Sequence, residues 1–157
     1  NLAIYDVEKD KLATFFIRID GSSNPVDMCI TKDNKLYVTM LFGLEIDGDG
    51  FNNLYLFDLE KPYKQPVLVM KDINYFDADD EGNVVYTKDI KKIKGASLLG
   101  ESLYYLEKGK KQAQLINKFD MLGNTVISPK ISRNGKGIIF SLRKTNEPRE
   151  FIILIKN

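Results

Sequence analysis

Val26-Asp-Met-Cys-Ile-Thr-Lys-Asp-Asn-Lys-Leu-Tyr-Val38 reads as a β-hairpin. A short apolar-polar alternation enters a turn of Thr, Asp and Asn, and a second alternating run leaves it with an aromatic near its middle. Two further stretches repeat the plan: Tyr75-Phe-Asp-Ala-Asp-Asp-Glu-Gly-Asn-Val-Val-Tyr86 and Pro129-Lys-Ile-Ser-Arg-Asn-Gly-Lys-Gly-Ile-Ile-Phe140. Their turns carry Asn34, Gly82 and Gly135, residue types that tolerate positive φ. These turn positions lie 48 and 53 residues apart.

A second family of runs falls between the hairpins. Leu2-Ala-Ile-Tyr-Asp-Val-Glu8 and Leu54-Tyr-Leu-Phe-Asp-Leu-Glu60 are nearly the same heptapeptide. Ser102–Glu107 and Glu150–Ile155 follow, and the run centres Tyr5, Leu56, Tyr104 and Ile153 are separated by 51, 48 and 49 residues. Both series share a period near 49, so each unit holds a hairpin (strands a and b), a third strand (c) and a fourth (d). The fourth strands are expected at Leu12–Ile19, Pro66–Lys71 and Ala113–Asp120. The chain then reads c-d, a-b-c-d, a-b-c-d, a-b-c, thirteen strands in all.

A four-stranded unit repeating every 40 to 50 residues is the signature of a propeller. The expected fold is therefore all-β: a partial β-propeller of four-stranded antiparallel blades, with about three blades in this chain. The divisions are a partial blade at 1–20, blades at 24–71 and 72–121, and a partial blade at 125–157. Strand b supports this, because Leu36, Val38 and Met40 alternate with Tyr37 and Thr39, and Ile138, Phe140 and Leu142 with Ile139, Ser141 and Arg143. Apolar side chains on both faces suit a sheet stacked between sheets. A β-sandwich of the same strand count is the rival fold, but its strands need not recur at a fixed period. Because one blade cannot bury both faces alone, further blades from the same or a second chain are expected to complete the disc.

The segment Ile127-Ser-Pro-Lys-Ile-Ser-Arg-Asn-Gly-Lys-Gly-Ile-Ile-Phe-Ser141 resembles the repeat of TolB-like, WD40-like bacterial propellers: Ser-Pro, two residues, Ser, a variable residue, Asp-Gly-Lys, then an apolar strand ending in Phe. Asn134 stands where those repeats prefer Asp. The Thr31–Val38 and Asp80–Tyr86 hairpins are similar, more loosely, to propellers of the NHL and lactonase type. With no Trp and no His, the Trp-Asp and Gly-His marks of true WD40 repeats are absent. The resemblance implies a docking platform, a ligand-binding disc or a gating domain attached to a peptidase, and a bacterial periplasmic or extracellular setting. A fold shared by so many roles fixes none of them.

Composition removes several classes. The 157 residues are 43% hydrophobic and 29% charged, as in a folded domain, and the net charge of +1 lacks the basic excess of a nucleic-acid binder. No apolar run approaches the ~18 residues of a membrane span. Without histidine there is no Ser-His or Cys-His pair and no His-ligated zinc. Cys29 is the single cysteine, so no internal disulfide forms. Ser102 follows Gly100-Glu101 without the second glycine of a nucleophile elbow. No catalytic residue, metal or cofactor is assigned.

Candidate binding residues fall on the long connections. An a-b-c-d meander puts its b–c and d–a connections on one side and its a–b and c–d turns on the other. The a–b turns are short, whereas the b–c loops Gly43–Asn52, Asp89–Glu101 and Lys144–Arg149 are longer. Long loops on a rigid scaffold carry binding residues, so the b–c side is expected to meet a protein partner or small ligand, and the a–b turns to be simply solvated. The candidates are Glu45, Asp47, Asp49 and Asn52 in the first loop and Lys91, Lys92 and Lys94 in the second. Glu45-Ile-Asp-Gly-Asp-Gly-Phe-Asn52 offers oxygens for calcium, but Phe51 and Asp58 stand where an EF-hand needs its third ligand and its Glu. Calcium binding no tighter than roughly millimolar is the expectation. Asp77, Asp79, Asp80 and Glu81 are read as turn carboxylates bonding nearby backbone. Asp6 and Asp58, at one repeated strand position, are read as blade-stabilising.

Overall fold

The three hairpins form, and they belong to three separate sheets. The computed structural model describes residues 2–15, 19, 21–43, 51–61, 64–89, 101–119, 125–143 and 150–155. Among these every regular element is a strand. In chain order they are β1 (Leu2–Asp6), β2 (Lys11–Phe15), β3 (Ser22–Ile30), β4 (Lys35–Phe42), β5 (Phe51–Asp58), β6 (Val67–Ile73), β7 (Phe76–Ala78), β8 (Val84–Asp89), β9 (Glu101–Leu106), β10 (Gln114–Phe119), β11 (Thr125–Ile131), β12 (Gly137–Arg143) and β13 (Glu150–Ile155). They make antiparallel meanders of two strands (β1-β2), four (β3-β4-β5-β6), four (β7-β8-β9-β10) and three (β11-β12-β13). The fold is all-β, a partial propeller of four-stranded antiparallel blades.

The turn register aligns the blades residue by residue. Thr31 N–H donates to the carbonyl of Lys35, Asp79 N–H to that of Asn83, and Ser132 N–H to that of Gly137. The third turn is therefore one residue longer. Cross-strand pairs follow from the turns: Ile30 opposite Leu36, Ala78 opposite Val84, and Ile131 opposite Ile138. The inner strands depart from ideal pairing at prolines, which lack an N–H for the ladder. The register shifts on both sides of Pro25 in β3 and across Ser128-Pro129 in β11.

The core lies between blades. Tyr37 and Leu54 of the second sheet pack with Phe76, Ala78, Val84 and Tyr86 of the third. Val85, Leu103 and Tyr105 on the third sheet's other face pack with Ile131, Ile138 and Phe140 of the fourth. Each sheet thus has a leading face, covered by the blade before it, and a trailing face, covered by the blade after it.

Two faces are covered incompletely: on the leading face of the second sheet Leu36, Val38 and Met40 of β4 are buried, packed with Ile19, Tyr55 and Phe57, but the inner strand β3 is not. Met28 and Ile30, on the leading face of the second sheet, are 49% and 52% exposed, while their counterparts Phe76 and Ala78 are 2% and 8% exposed. On the trailing face of the fourth sheet Ile139 and Ile153 are 40% and 66% exposed, against 0% and 9% for their counterparts Val85 and Tyr105.

Candidate functional site

Of the seven candidate binding residues of the b–c loops, Asn52 alone lies where the structure can place it. Glu45, Asp47 and Asp49, and Lys91, Lys92 and Lys94, lie outside the described residues, as does the 144–149 loop. Asn52 sits near the start of β5, opposite Leu41. Its Oδ1 is buried and accepts no hydrogen bond among the described residues.

The base of the next b–c loop is built more fully, from residues the sequence reading passed over. β8 ends at Asp89 and β9 begins at Glu101, directly opposite. The amide of Asn74, on the d–a connection, donates to Asp89 Oδ1 at 2.7 Å and also to Glu101 Oε1. Glu101 is buried and stands at the strand position that Asn52 occupies one blade earlier. A polar residue at the first turn of strand c, one period apart, was the available signal.

Thr39, Thr87 and Ser141 share another repeated position, buried on strand b. Thr39 Oγ1 accepts from Asp27 N–H and donates to the Asp27 carbonyl; Thr87 Oγ1 accepts from Tyr75 N–H. The Thr39 and Thr87 hydroxyls thus bond the backbone of the neighbouring segment at Asp27 and Tyr75.

The a–b turns are not simply solvated. Lys32 N–H donates to the carbonyl of Asp80, and Asp80 N–H donates to the carbonyl of Arg133, so equivalent residues of successive blades are joined in a backbone relay. Ion pairs run beside it, Lys32 with Glu81 and Arg133 with Asp80 at 3.1 Å. The acidic cluster is spent on this work. Asp79, nearly excluded from water, accepts from Glu81 N–H, Asn83 N–H and Asn83 Nδ2. Asp77 Oδ2 reaches the next blade and accepts from Ile131 N–H at 2.9 Å. Gly135 of the following turn, at φ 71°, lies so close that an added Cβ would sit 2.5 Å from Asp79 Oδ2.

Cys29 occupies the position of Asp77 one blade earlier, and its thiol donates to the Ala78 carbonyl at 3.4 Å. Burial pushes that thiol's pKa up, the direction opposite to an activated nucleophile. Burial also pushes the Tyr37 phenol up to about 12, and its neutral hydroxyl donates to the Gly82 carbonyl at 3.0 Å. Asp58 pairs with Lys35 at 2.9 Å and caps Glu60 N–H, the stabilising role expected of it; nothing is described of the Asp6 side chain. Among the described residues no group of three or more His, Cys, Asp or Glu is arranged to hold a metal.

No protein-family profile and no curated protein sequence matches the chain. In structure it is similar to a prolyl endopeptidase, one of two analysed for the role of inter-domain dynamics in catalysis and specificity. The TM-score is 0.64 at 11% identity, over 96% of this chain and 25% of that one. At that identity the likeness shows the fold alone, and the chain spans a quarter of the enzyme chain's length. The class it defines is a stack of propeller blades.

Proposed function

We propose that this blade stack is a non-catalytic scaffold that binds a protein or other ligand on its b–c side, within a propeller completed by further blades. The observation that carries the reading is the division of labour between the two sides. The a–b turns are committed to one another by backbone relays and ion pairs, while the long connections whose sequence carries Glu45, Asp47, Asp49, Lys91, Lys92 and Lys94 leave from the opposite ends of the strands, after Phe42 and Asp89. Opposed charge on adjacent loops steers encounter with a charged partner. The exposed Met28 and Ile30 on β3 and the exposed Ile139 and Ile153 of the fourth sheet support the further blades, and the Ile127–Ser141 repeat supports a TolB-like origin for them.

Cross-linking in the source cell tests the binding side. Partners should be captured through Lys91, Lys92 and Lys94 and lost when all three are changed to Glu, with the melting temperature unchanged. Capture through the a–b turns instead would reject the assignment.

The likeness to a prolyl endopeptidase favours a second reading, a propeller domain beside a hydrolase domain. A Gly-x-Ser-x-Gly segment in the same reading frame would select it over the first.

A further inference from the structure

The crevice between the second and third blades opens at the outer rim of the turn side, with a volume of about 440 Å³. Val67, Leu68, Val69 and Met70 all line it. Successive strand residues point to opposite faces, so a wall of four consecutive residues is the edge of β6 rather than one of its faces. β6 is the outermost strand of its sheet and pairs only with β5, leaving the other row of its N–H and C=O groups without a strand partner. Val67 and Leu68 are exposed there.

The opposite wall is the Glu107–Lys111 turn of the third blade, with Leu106 beneath it. Its charge is the decisive feature. Lys108 is held by Asp33 at 2.8 Å, and Lys35 by Asp58. Lys110 and Lys111 are exposed and form no ion pair among the described residues. Lysines on an edge strand itself guard against pairing; β6 carries one, Lys71, beyond the Val67–Met70 segment, and Lys110 and Lys111 stand across the crevice from that segment. Tyr37 at the crevice has its hydroxyl occupied by Gly82, so the strand edge is left to bond a ligand together with the side chains of the opposite wall, where Lys110 and Lys111 outnumber the exposed Glu107 and keep that wall net positive.

We propose that this crevice binds an extended acidic peptide by strand addition to β6. Backbone hydrogen bonds run along Val67–Met70, apolar side chains cover Val67 and Leu68, and carboxylates face Lys110 and Lys111. The site lies on the side opposite the b–c loops, so its fate is independent of theirs.

Fluorescence anisotropy with dye-labelled pentapeptides tests it on the whole chain. Glu-Val-Glu-Val-Glu should bind, and the double variant Lys110→Glu/Lys111→Glu should weaken it about tenfold or more, while Lys118→Glu, an exposed lysine on β10, changes nothing. The same peptide with alternate backbone nitrogens methylated should also bind about tenfold more weakly, because its ladder donors are gone. Equal binding of Lys-Val-Lys-Val-Lys, indifference to the double variant, indifference to N-methylation, or no acidic-peptide binding up to about 1 mM would each overturn the proposal. Circular dichroism on the double variant separates a lost site from a lost fold.

Discussion

Asp79 accepts three hydrogen bonds while nearly excluded from water, and Gly135 of the next blade leans on its Oδ2. Asp79→Ala strands those donors, so urea unfolding should register a loss of about 2–4 kcal/mol. Asp80→Ala, which removes an exposed pair with Arg133, should cost under about 1 kcal/mol; equal losses would mean the turn's burial is immaterial. Lys35 and Asp58 give the pH-dependent counterpart. The Lys35 hydrogen bond holds the Asp58 carboxyl below its ordinary 3.8, and the same pair holds the Lys35 ammonium above its ordinary 10.5. A depressed carboxyl pKa means stability fully present above the ordinary value and lost as pH falls through the folded one. A raised ammonium pKa means stability lost as pH climbs through its folded value. Asp58→Asn should therefore lower the melting temperature at neutral pH, and the gap should close below about pH 4. A gap unchanged at pH 2 would deny the pair its role.

Thr39 and Thr87 show how one strand position acts on a whole blade. Thr39 reaches the neighbouring inner strand beside a departure from regular pairing, and Thr87 reaches Tyr75 just ahead of β7. Thr→Val keeps the shape and removes the bond, so each substitution should destabilise by about 1–2 kcal/mol. The two sites lie in different blades and share no partner, so the double variant should come within about 0.5 kcal/mol of the sum; a larger departure in urea titrations would show that blades do not respond independently. The strands themselves were legible in the sequence, because period-2 alternation and turn residues are local signals. The run Leu54–Glu60 and the turns at Asn34, Gly82 and Gly135 put the sheets in order. The d strands were less sharply marked: β6 continues to Ile73, past the expected Lys71, and residues 16–18 of the first expected d strand lie outside the described residues. The turn relay was not legible at all, since Lys32 N–H to Asp80 carbonyl is a backbone contact that no side-chain pattern encodes. Within the Asp77–Glu81 cluster Asp79 bonds its own turn's backbone as expected, whereas Asp77, Asp80 and Glu81 reach a neighbouring blade, a partner that local turn rules do not see.

The exposed apolar patches on β3 and on the trailing face of the fourth sheet make the whole molecule testable as a segment of a larger disc. Met28 and Phe76 hold the same position on successive inner strands, but one is half exposed and the other sealed between blades. In the 157-residue chain, Met28→Lys leaves its charge in water and should change stability by no more than about 0.5 kcal/mol. Phe76→Lys places an unpaired charge between two sheets and should abolish cooperative folding. If further blades cover the leading face in the protein as its source cell makes it, Met28→Lys must there become as damaging as Phe76→Lys. The same logic applies at the trailing face, where Ile153→Lys should be silent in the 157-residue chain and harmful in the assembled protein. The unmodified chain should also self-associate through these apolar patches, and light scattering should show that association reduced by Met28→Lys and Ile153→Lys together. Silence of both substitutions in the cell-derived protein would mean that no blade covers either face, and the completed propeller would have to be abandoned for an open stack of sheets.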